Sequence, residues 1–299
     1  MKMKSKKVLL LSSEVGVGAV GLSIARYIFA AHKIDAIALP TVLFASRPDL
    51  GSPSRVPIGA TALEQQLYAL RDDGRLDEID GVMSGYFDSA AQVLVVSRFL
   101  KQLKIDRPEV TLLVDPVMGD FDSGLYVAPE VAKALLAELI PIADLITPNF
   151  YEFGWLSGNE EESHTLPNTS PVDFAAELQK VEALIKRNGP RLGVGDIVVT
   201  SSAMSSASGG GDMGAQAEII TALLHQGEVE FFSAAMHEPM PKGTGDVFAA
   251  ELLARLVLGA PITAATRATV HYLSRVAEKA RGQTTIAPFQ LFEAVLAED

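Results

Sequence analysis

The chain has 299 residues, 48% of them hydrophobic, enough apolar material for one large core or two smaller ones. A formal net charge of −12 and a pI near 4.9 argue against a nucleic-acid or anionic-membrane partner. The absence of cysteine excludes a disulfide framework, a thiolate metal site and a cysteine nucleophile.

The N-terminus carries Lys2, Lys4, Lys6 and Lys7 before a short apolar run, Val8–Leu11. That run is too short for a signal-peptide core and reads as a first buried strand. No stretch approaches the roughly 18 apolar residues that span a bilayer. A soluble, cytoplasmic protein is expected. Further apolar runs at Ala36–Leu39, Gly81–Ser84, Thr111–Val114, Asp144–Ile146 and Ile197–Thr200 read as strands buried on both faces. Between them, Val20–Ala31, Thr61–Asp72, Ala90–Lys104, Glu130–Ile140 and Val172–Arg187 read as helices. Ala217–Leu224 and Val229–Ser233 read as two further strands, antiparallel near one edge. The last third is helical over Asp246–Leu258, Ile262–Ala280 and Phe289–Ala297. Glu160–Pro171 and Ser205–Gly214 read as surface loops. Arg47–Pro57, with three prolines and a glycine, reads as an irregular flap. The alternation predicts an α/β three-layer sandwich: a central, mostly parallel sheet flanked by helices on both faces. No repeat or linker divides the chain, so residues 1–299 are expected to form a single domain.

Ligands of such sheets bind beyond the carboxyl ends of the strands. Those ends here are polar: Ser12 and Ser13, Thr41, Ser84 with Tyr86, Asp115, Thr147 with Asn149, and Thr200 with Ser201. Pro241-Lys242-Gly243-Thr244-Gly245-Asp246 then opens an apolar helix. The glycines let backbone N–H groups converge at a helix start, which is partly positive and rich in unpaired donors. Asp246 puts a carboxylate at the same place. Phosphoryl transfer needs such a pairing, with donors for a phosphate and an acid to take the proton of an attacking hydroxyl. An ordinary capping aspartate is the simpler reading of Asp246 taken alone.

A second glycine motif competes. Gly16-Val17-Gly18-Ala19-Val20-Gly21 matches the dinucleotide-binding pattern, following a strand and opening a helix. The acid expected at the end of the second strand is missing, because that strand ends in Leu39-Pro40-Thr41 and Asp35 begins it. No Walker A sequence is present. The five histidines, His32, His164, His225, His237 and His271, show no metal-ligand spacing.

Several motifs together resemble one family. Gly243-Thr244-Gly245-Asp246 is similar to the signature of ribokinase-like small-molecule kinases. Val114-Asp115-Pro116-Val117-Met118-Gly119-Asp120 with Gly124-Leu125-Tyr126-Val127, Ile146-Thr147-Pro148-Asn149 with Glu152, Ser84-Gly85-Tyr86 with Ser89, and Thr41-Val42-Leu43-Phe44 resemble the pyridoxal kinase branch. The agreement runs in order from about Val8 to Leu258. The resemblance implies a ribokinase-like fold and ATP-dependent phosphorylation of the 5′-hydroxymethyl group of pyridoxal. By position it implies Asp246 as base and Gly243, Thr244 and Gly245 as the anion hole. Asp115, Thr147 and Glu152 would organise Mg²⁺, and a monovalent cation such as K⁺ is a further implied cofactor. Asn149, Asp120 and Tyr126 would lie near the ATP phosphates, with Asp115 among them. Thr200 and Ser201 would contact the nucleotide, and Ser13, Thr41, Phe44 and Tyr86 would line the acceptor pocket. A homodimer is implied as well.

The chain departs from the family in that pocket. It reads Ser12-Ser13-Glu14-Val15 where Gln-Ser-His-Val is usual, and Ala45-Ser46-Arg47-Pro48 where Ser-Asn-His-Thr is frequent. Phe87 and Asp88 replace Leu and Gly. The new charges at Glu14, Arg47 and Asp88 and the hydroxyl lost at Ala45 bear on which alcohol is accepted. A hydroxymethylpyrimidine or another small alcohol stays open as acceptor, and so does a non-catalytic vitamer-binding protein. A related branch uses a lid cysteine near the acceptor, which this chain lacks.

Overall fold

A computed structural model describes residues 5–51, 54–158, 168–169, 174–205, 217–237 and 240–296. The sheet contains β1 (Lys7–Val15), β2 (Asp35–Phe44), β3 (Arg55–Pro57), β4 (Gly81–Ser84), β5 (Thr111–Val114), β8 (Leu145–Ile146), β9 (Asn168–Thr169), β10 (Asp196–Ser205), β11 (Glu218–His225) and β12 (Glu228–Ala235). Their order is β12-β11-β10-β8-β5-β4-β1-β2-β3, with β9 beside β10. The strands β10, β8, β5, β4, β1 and β2 run parallel, β11 and β3 run opposite to them, and β12 pairs antiparallel with β11. The antiparallel pair expected near one edge is the β11–β12 hairpin. Its two-residue turn, Gln226-Gly227, has both φ angles positive, matching the twist of the strands it joins.

Period-two alternation assigns the strand side chains to two cores. Leu9, Leu11, Val82, Leu112, Val114, Ile146 and Val199 face a layer of α2 (Ala60–Asp72), α3 (Ala90–Asp106), α4 (Pro129–Ala134), α5 (Phe150–Leu156) and α6 (Phe174–Asn188). Val8, Leu10, Met83, Leu113, Leu145 and Val198 face α1 (Leu22–Ala31), α7 (Thr244–Val257), α8 (Ile262–Lys279) and α9 (Pro288–Leu296). The fold is the expected three-layer sandwich. Because both faces are covered, the strands read as unbroken apolar runs.

The differences from expectation gather at the carboxyl edge. β1 and β2 continue to Val15 and Phe44, past the apolar runs, because their polar ends stay in the ladder. The β1–β2 register shifts between Ser12 and Glu14, next to the Ser12–Pro40 pairing where proline has no N–H to offer. The Arg47–Pro57 stretch is more regular than an irregular flap. It makes a 3-10 turn at Pro48–Leu50 and returns as β3 against Val42–Phe44. The helix expected to reach Ile140 ends at Ala134, widens into a π turn over Leu135–Leu139 and tightens at Ile140–Ile142, where Pro141 stops it. Most of the two expected loops, Glu160–Pro171 and Ser205–Gly214, lies outside the described residues. A hairpin of β6 (Gly119–Asp120) and β7 (Gly124–Leu125) stands above the sheet.

Candidate active site

The anion loop is built by crowding. Gly243 sits at φ +96°, and a Cβ there would lie 2.6 Å from the Ala19 carbonyl oxygen. Only glycine lets this loop pack against the turn after β1 while α7 begins at Thr244. The other glycine motif supplies that turn. Gly21 has φ +57°, and a Cβ there would stand 2.4 Å from Ser13 O. The Gly21 amide instead serves the Asp246 carboxylate. Burial pushes Asp246 up to about 6, while the amides of Gly21 and of Asp246 itself pull the other way. The glycine-rich turn thus orients the acid of α7 and is the entry to α1.

A second acid group faces it. Asp115 follows β5, with its N–H bonded to Ser84 O at 2.9 Å. Its carboxyl is held well above the usual range, first by burial and then by the negative charges of Glu152 and Asp246. The Thr147 hydroxyl and then the Val117 amide oppose this, and Val117 takes φ 35°, an unusual angle for a β-branched residue. Glu152 closes the capping box of α5: its Oε2 accepts from Asn149 N at 2.9 Å, and Asn149 Oδ1 accepts from Glu152 N at 2.9 Å. Its Oε1 accepts from Met118 N at 2.7 Å and Gly119 N at 3.3 Å. Asn149 Nδ2 donates to Gly119 O at 2.8 Å. Glu152 is therefore a clamp on the Asp115–Gly119 loop as well as a charge beside Asp115. Burial raises it to about 7 despite these three amides.

Asp120, in β6, accepts from Ser123 N at 2.7 Å, and its Oδ2 lies 3.9 Å from Lys242 Nζ. Tyr126 is 46% exposed overall, yet its hydroxyl is pushed well above 10 by burial and then by Glu152, Asp115, Asp246 and Asp120. One hydroxyl and four carboxyls therefore share one space. Ser84 Oγ is buried there without a hydrogen-bond partner among the described residues, while the Thr147 hydroxyl turns to the Asp115 carboxyl.

On the acceptor side, Thr41 Oγ1 donates to Tyr86 O at 2.6 Å, and Tyr86 N donates to Ser12 Oγ at 3.1 Å. Buried Gln92 ties Thr41 O and Ile58 O at 2.7 and 2.6 Å. Phe44 meets Tyr86 edge to face, with centroids 6.4 Å apart. Thr41 thus spends its proton on the backbone.

The geometry above has clear relatives. A sequence model of the phosphomethylpyrimidine kinase family matches residues 27–287. The chain belongs to that family. It is 32% identical over 263 residues to the pyridoxine/pyridoxal/pyridoxamine kinase of Bordetella avium, covering 88% of this chain and 81% of that one. To the enzyme of the same name from Bordetella bronchiseptica it is 30% identical over 281 residues, covering 93% and 92%. The fold matches pyridoxal kinase from Entamoeba histolytica, with TM-score 0.78, 22% identity and coverage of 99% and 97%. It also matches the Leishmania donovani pyridoxal kinase solved with ADP and pyridoxamine, with TM-score 0.77, 22% identity and coverage of 98% and 96%.

In this kinase the three charges expected to be new to the acceptor pocket are each paired within the chain. Glu14 pairs with Arg26 at 3.1 Å and accepts from Ser23 Oγ at 3.0 Å. Asp88 pairs with Arg55, and Arg47 with Asp49. A cleft lined by Thr200, Ser201, Ile219, Thr221, Ala234, Met240, Thr244, Phe248, Val270 and Leu273 adjoins the anion loop. Thr200 is held there by its N–H to Pro148 O at 2.9 Å, and Ser201 takes φ 50°. Sequence reasoning missed the walls from β11, β12 and α8. Their residues read as ordinary apolar positions, and only the small pair Ala234-Ala235 hinted at room beside a helix. Among the described residues no three His, Asp or Glu side chains converge to hold a metal alone. The donor set instead suits a hard cation shared with phosphates, since Mg²⁺ takes one or two carboxylates and keeps several waters.

Proposed function

We propose that this kinase transfers the γ-phosphoryl group of ATP to the 5′-hydroxymethyl oxygen of pyridoxal, forming pyridoxal 5′-phosphate and ADP. The observation that carries the reading is Asp246. Its carboxyl is raised to about 6, so it is ionised at neutral pH yet basic enough to take a proton, and it lies in the first turn of α7 at the anion loop. The hydroxyl proton passes to Asp246, the freed oxygen attacks phosphorus, and the P–O bond to ADP breaks. The N–H groups of Gly243, Thr244 and Gly245 hold the moving charge. Asp115, with Thr147 beside it, would hold Mg²⁺, and Glu152 adds negative charge while fixing the loop. The cation, when bound, neutralises phosphate charge and relieves the repulsion that raises Asp115. A monovalent cation such as K⁺ belongs to the same reading. Asn149, Asp120 and Tyr126 would lie along the phosphates. Thr200 and Ser201 would meet the nucleotide in the cleft toward α8. Ser13, Phe44 and Tyr86 would bound the pyridine, and Thr41 would keep Tyr86 in place.

The reading takes residues 1–299 as one folded unit and a homodimer as the working form. Exposed Val17, Leu43, Leu50 and Val56 around the β2–β3 edge support a buried interface there. A cytoplasmic location accords with the finding that, among the described residues, no helix is long and apolar enough to cross a membrane. The test is ATP- and Mg²⁺-dependent formation of pyridoxal phosphate, followed by absorbance, with Asp246→Asn as control. A hydroxymethylpyrimidine and other small alcohols are run beside pyridoxal. Turnover restricted to one of those, or vitamer binding without transfer, would replace the reading.

A further inference from the structure

Arg47 is a charged residue that the proposed reaction leaves unused, and it is only 5% exposed. A buried guanidinium is costly unless it is paired and hydrogen-bonded. Asp49 takes it in a fork, with Nη2 to Oδ2 at 3.0 Å and Nε to the other oxygen. The remaining nitrogen reaches a distant segment of the chain. Nη1 lies 3.4 Å from Thr284 O and 3.3 Å from Thr285 Oγ1, more than 200 residues along the chain. Thr284 O also accepts the Lys242 N–H at 3.2 Å, and Lys242 pairs with Thr285 in a short parallel bridge. Lys242 immediately precedes the anion-loop glycine.

The backbone of Arg47 grips the other glycine motif. Its N–H donates to Val17 O at 2.8 Å, and a Cβ on Gly18 would come 2.9 Å from its Cβ. One residue therefore touches the turn that presents Gly21 to Asp246 and the strand that holds Lys242. It also sits just beyond Phe44 in the acceptor wall.

We infer that Arg47 is a positioning residue for phosphoryl transfer: through Thr284–Thr285 and Val17 it fixes the Lys242–Gly245 loop and the Gly21 turn relative to the acceptor strand β2. The inference rests on the kinase reading above. Transfer requires the oxygen, the phosphorus and the base to be aligned within fractions of an ångström, and loops connected only by backbone would not hold that alignment. The charge at Arg47 thereby acts on geometry, with Asp49 cancelling its field at the acceptor.

The test compares wild type, Arg47→Met, Arg47→Lys and Thr285→Val. It reads kcat and KM for pyridoxal, the melting temperature, and amide hydrogen exchange of the ligand-free protein across residues 240–246 and 283–286. Arg47→Met is expected to lower kcat at least tenfold with KM for pyridoxal changed less than threefold, and to speed exchange in both stretches. Arg47→Lys should recover little, because it lacks the planar fork. Thr285→Val should move both readouts the same way by less, and it decides the matter if Arg47→Met does not fold. Unchanged kcat in folded variants, or a lowered kcat with unchanged exchange at 240–246, would overturn the inference. If wild type phosphorylates no pyridoxal, the functional reading falls. Exchange in Thr285→Val then upholds the strap if faster at 240–246 and rejects it if unchanged.

Discussion

Asp246 carries two opposed duties. As the proposed base it must be ionised, so kcat/KM should rise with pH on an acid limb centred near 6. For stability the sign is reversed. Its folded value of about 6 lies above the ordinary 3.8, so the folded state holds the proton more tightly than the unfolded chain. Stability is gained below that range and lost as pH rises from about 4 to about 6. At pH 8 the buried charge costs about 3 kcal/mol. Asp246→Asn should therefore abolish most turnover, by about 10²- to 10⁴-fold. It should also raise the melting temperature by a few degrees at pH 8 and by less at pH 5. Scanning calorimetry at the two pH values checks this; equal shifts would contradict the burial argument.

The elements show why single side chains here hold whole loops. Glu152 reads in the sequence as a metal-site acid, and the structure adds three backbone amides to its work. Glu152→Ala would leave buried donors at Met118, Gly119 and Asn149, at a cost of about 3 kcal/mol or more. Thermal unfolding should show a loss of several degrees, and ATP titration a weakened affinity. Glu152→Gln, keeping one oxygen, should fall between. At the start of α7, Gly243→Ala meets both a positive φ and the Ala19 carbonyl. Strain of about 1–3 kcal/mol is expected, with a larger fractional loss in kcat than in stability, because the anion loop must move to relieve it. A kinetic and a melting measurement on the same variant separate the two. The candidate site was legible wherever chemistry and strand ends coincide: Asp115, Thr147, Asn149, Glu152 and Asp246 are drawn together as their positions suggested. The partner of the Gly16–Gly21 turn was not legible. A glycine pattern says that backbone comes close to something, and only the fold says that it is Ala45, Arg47 and Ser13, with the Gly21 amide turned to Asp246.

For the whole molecule, the proposed homodimer predicts a sedimentation mass of about twice the 31.8 kDa chain. A single species of chain mass at working concentration would contradict it. The exposed apolar side chains of the β2–β3 edge give a second check, because Val56→Lys should shift any dimer toward monomer. The sequence by itself determined the alternating strands and helices, because burial on both faces writes unbroken apolar runs and amphipathic helices into any local window. It also determined the polar rim at the strand ends and the anion loop, which glycine and aspartate announce locally. Only the tertiary structure decided what lies across from what. Arg47 reads locally as a new charge in the acceptor pocket, but its partners are Asp49 and a carbonyl at Thr284. The proposed nucleotide cleft needs β11, β12 and α8 brought to one place, and apart from the small pair Ala234-Ala235 their residues carry no mark of it. Local propensity and patterning act over a few residues, whereas pairing of charges and closing of clefts depend on which distant segments the sheet order makes neighbours.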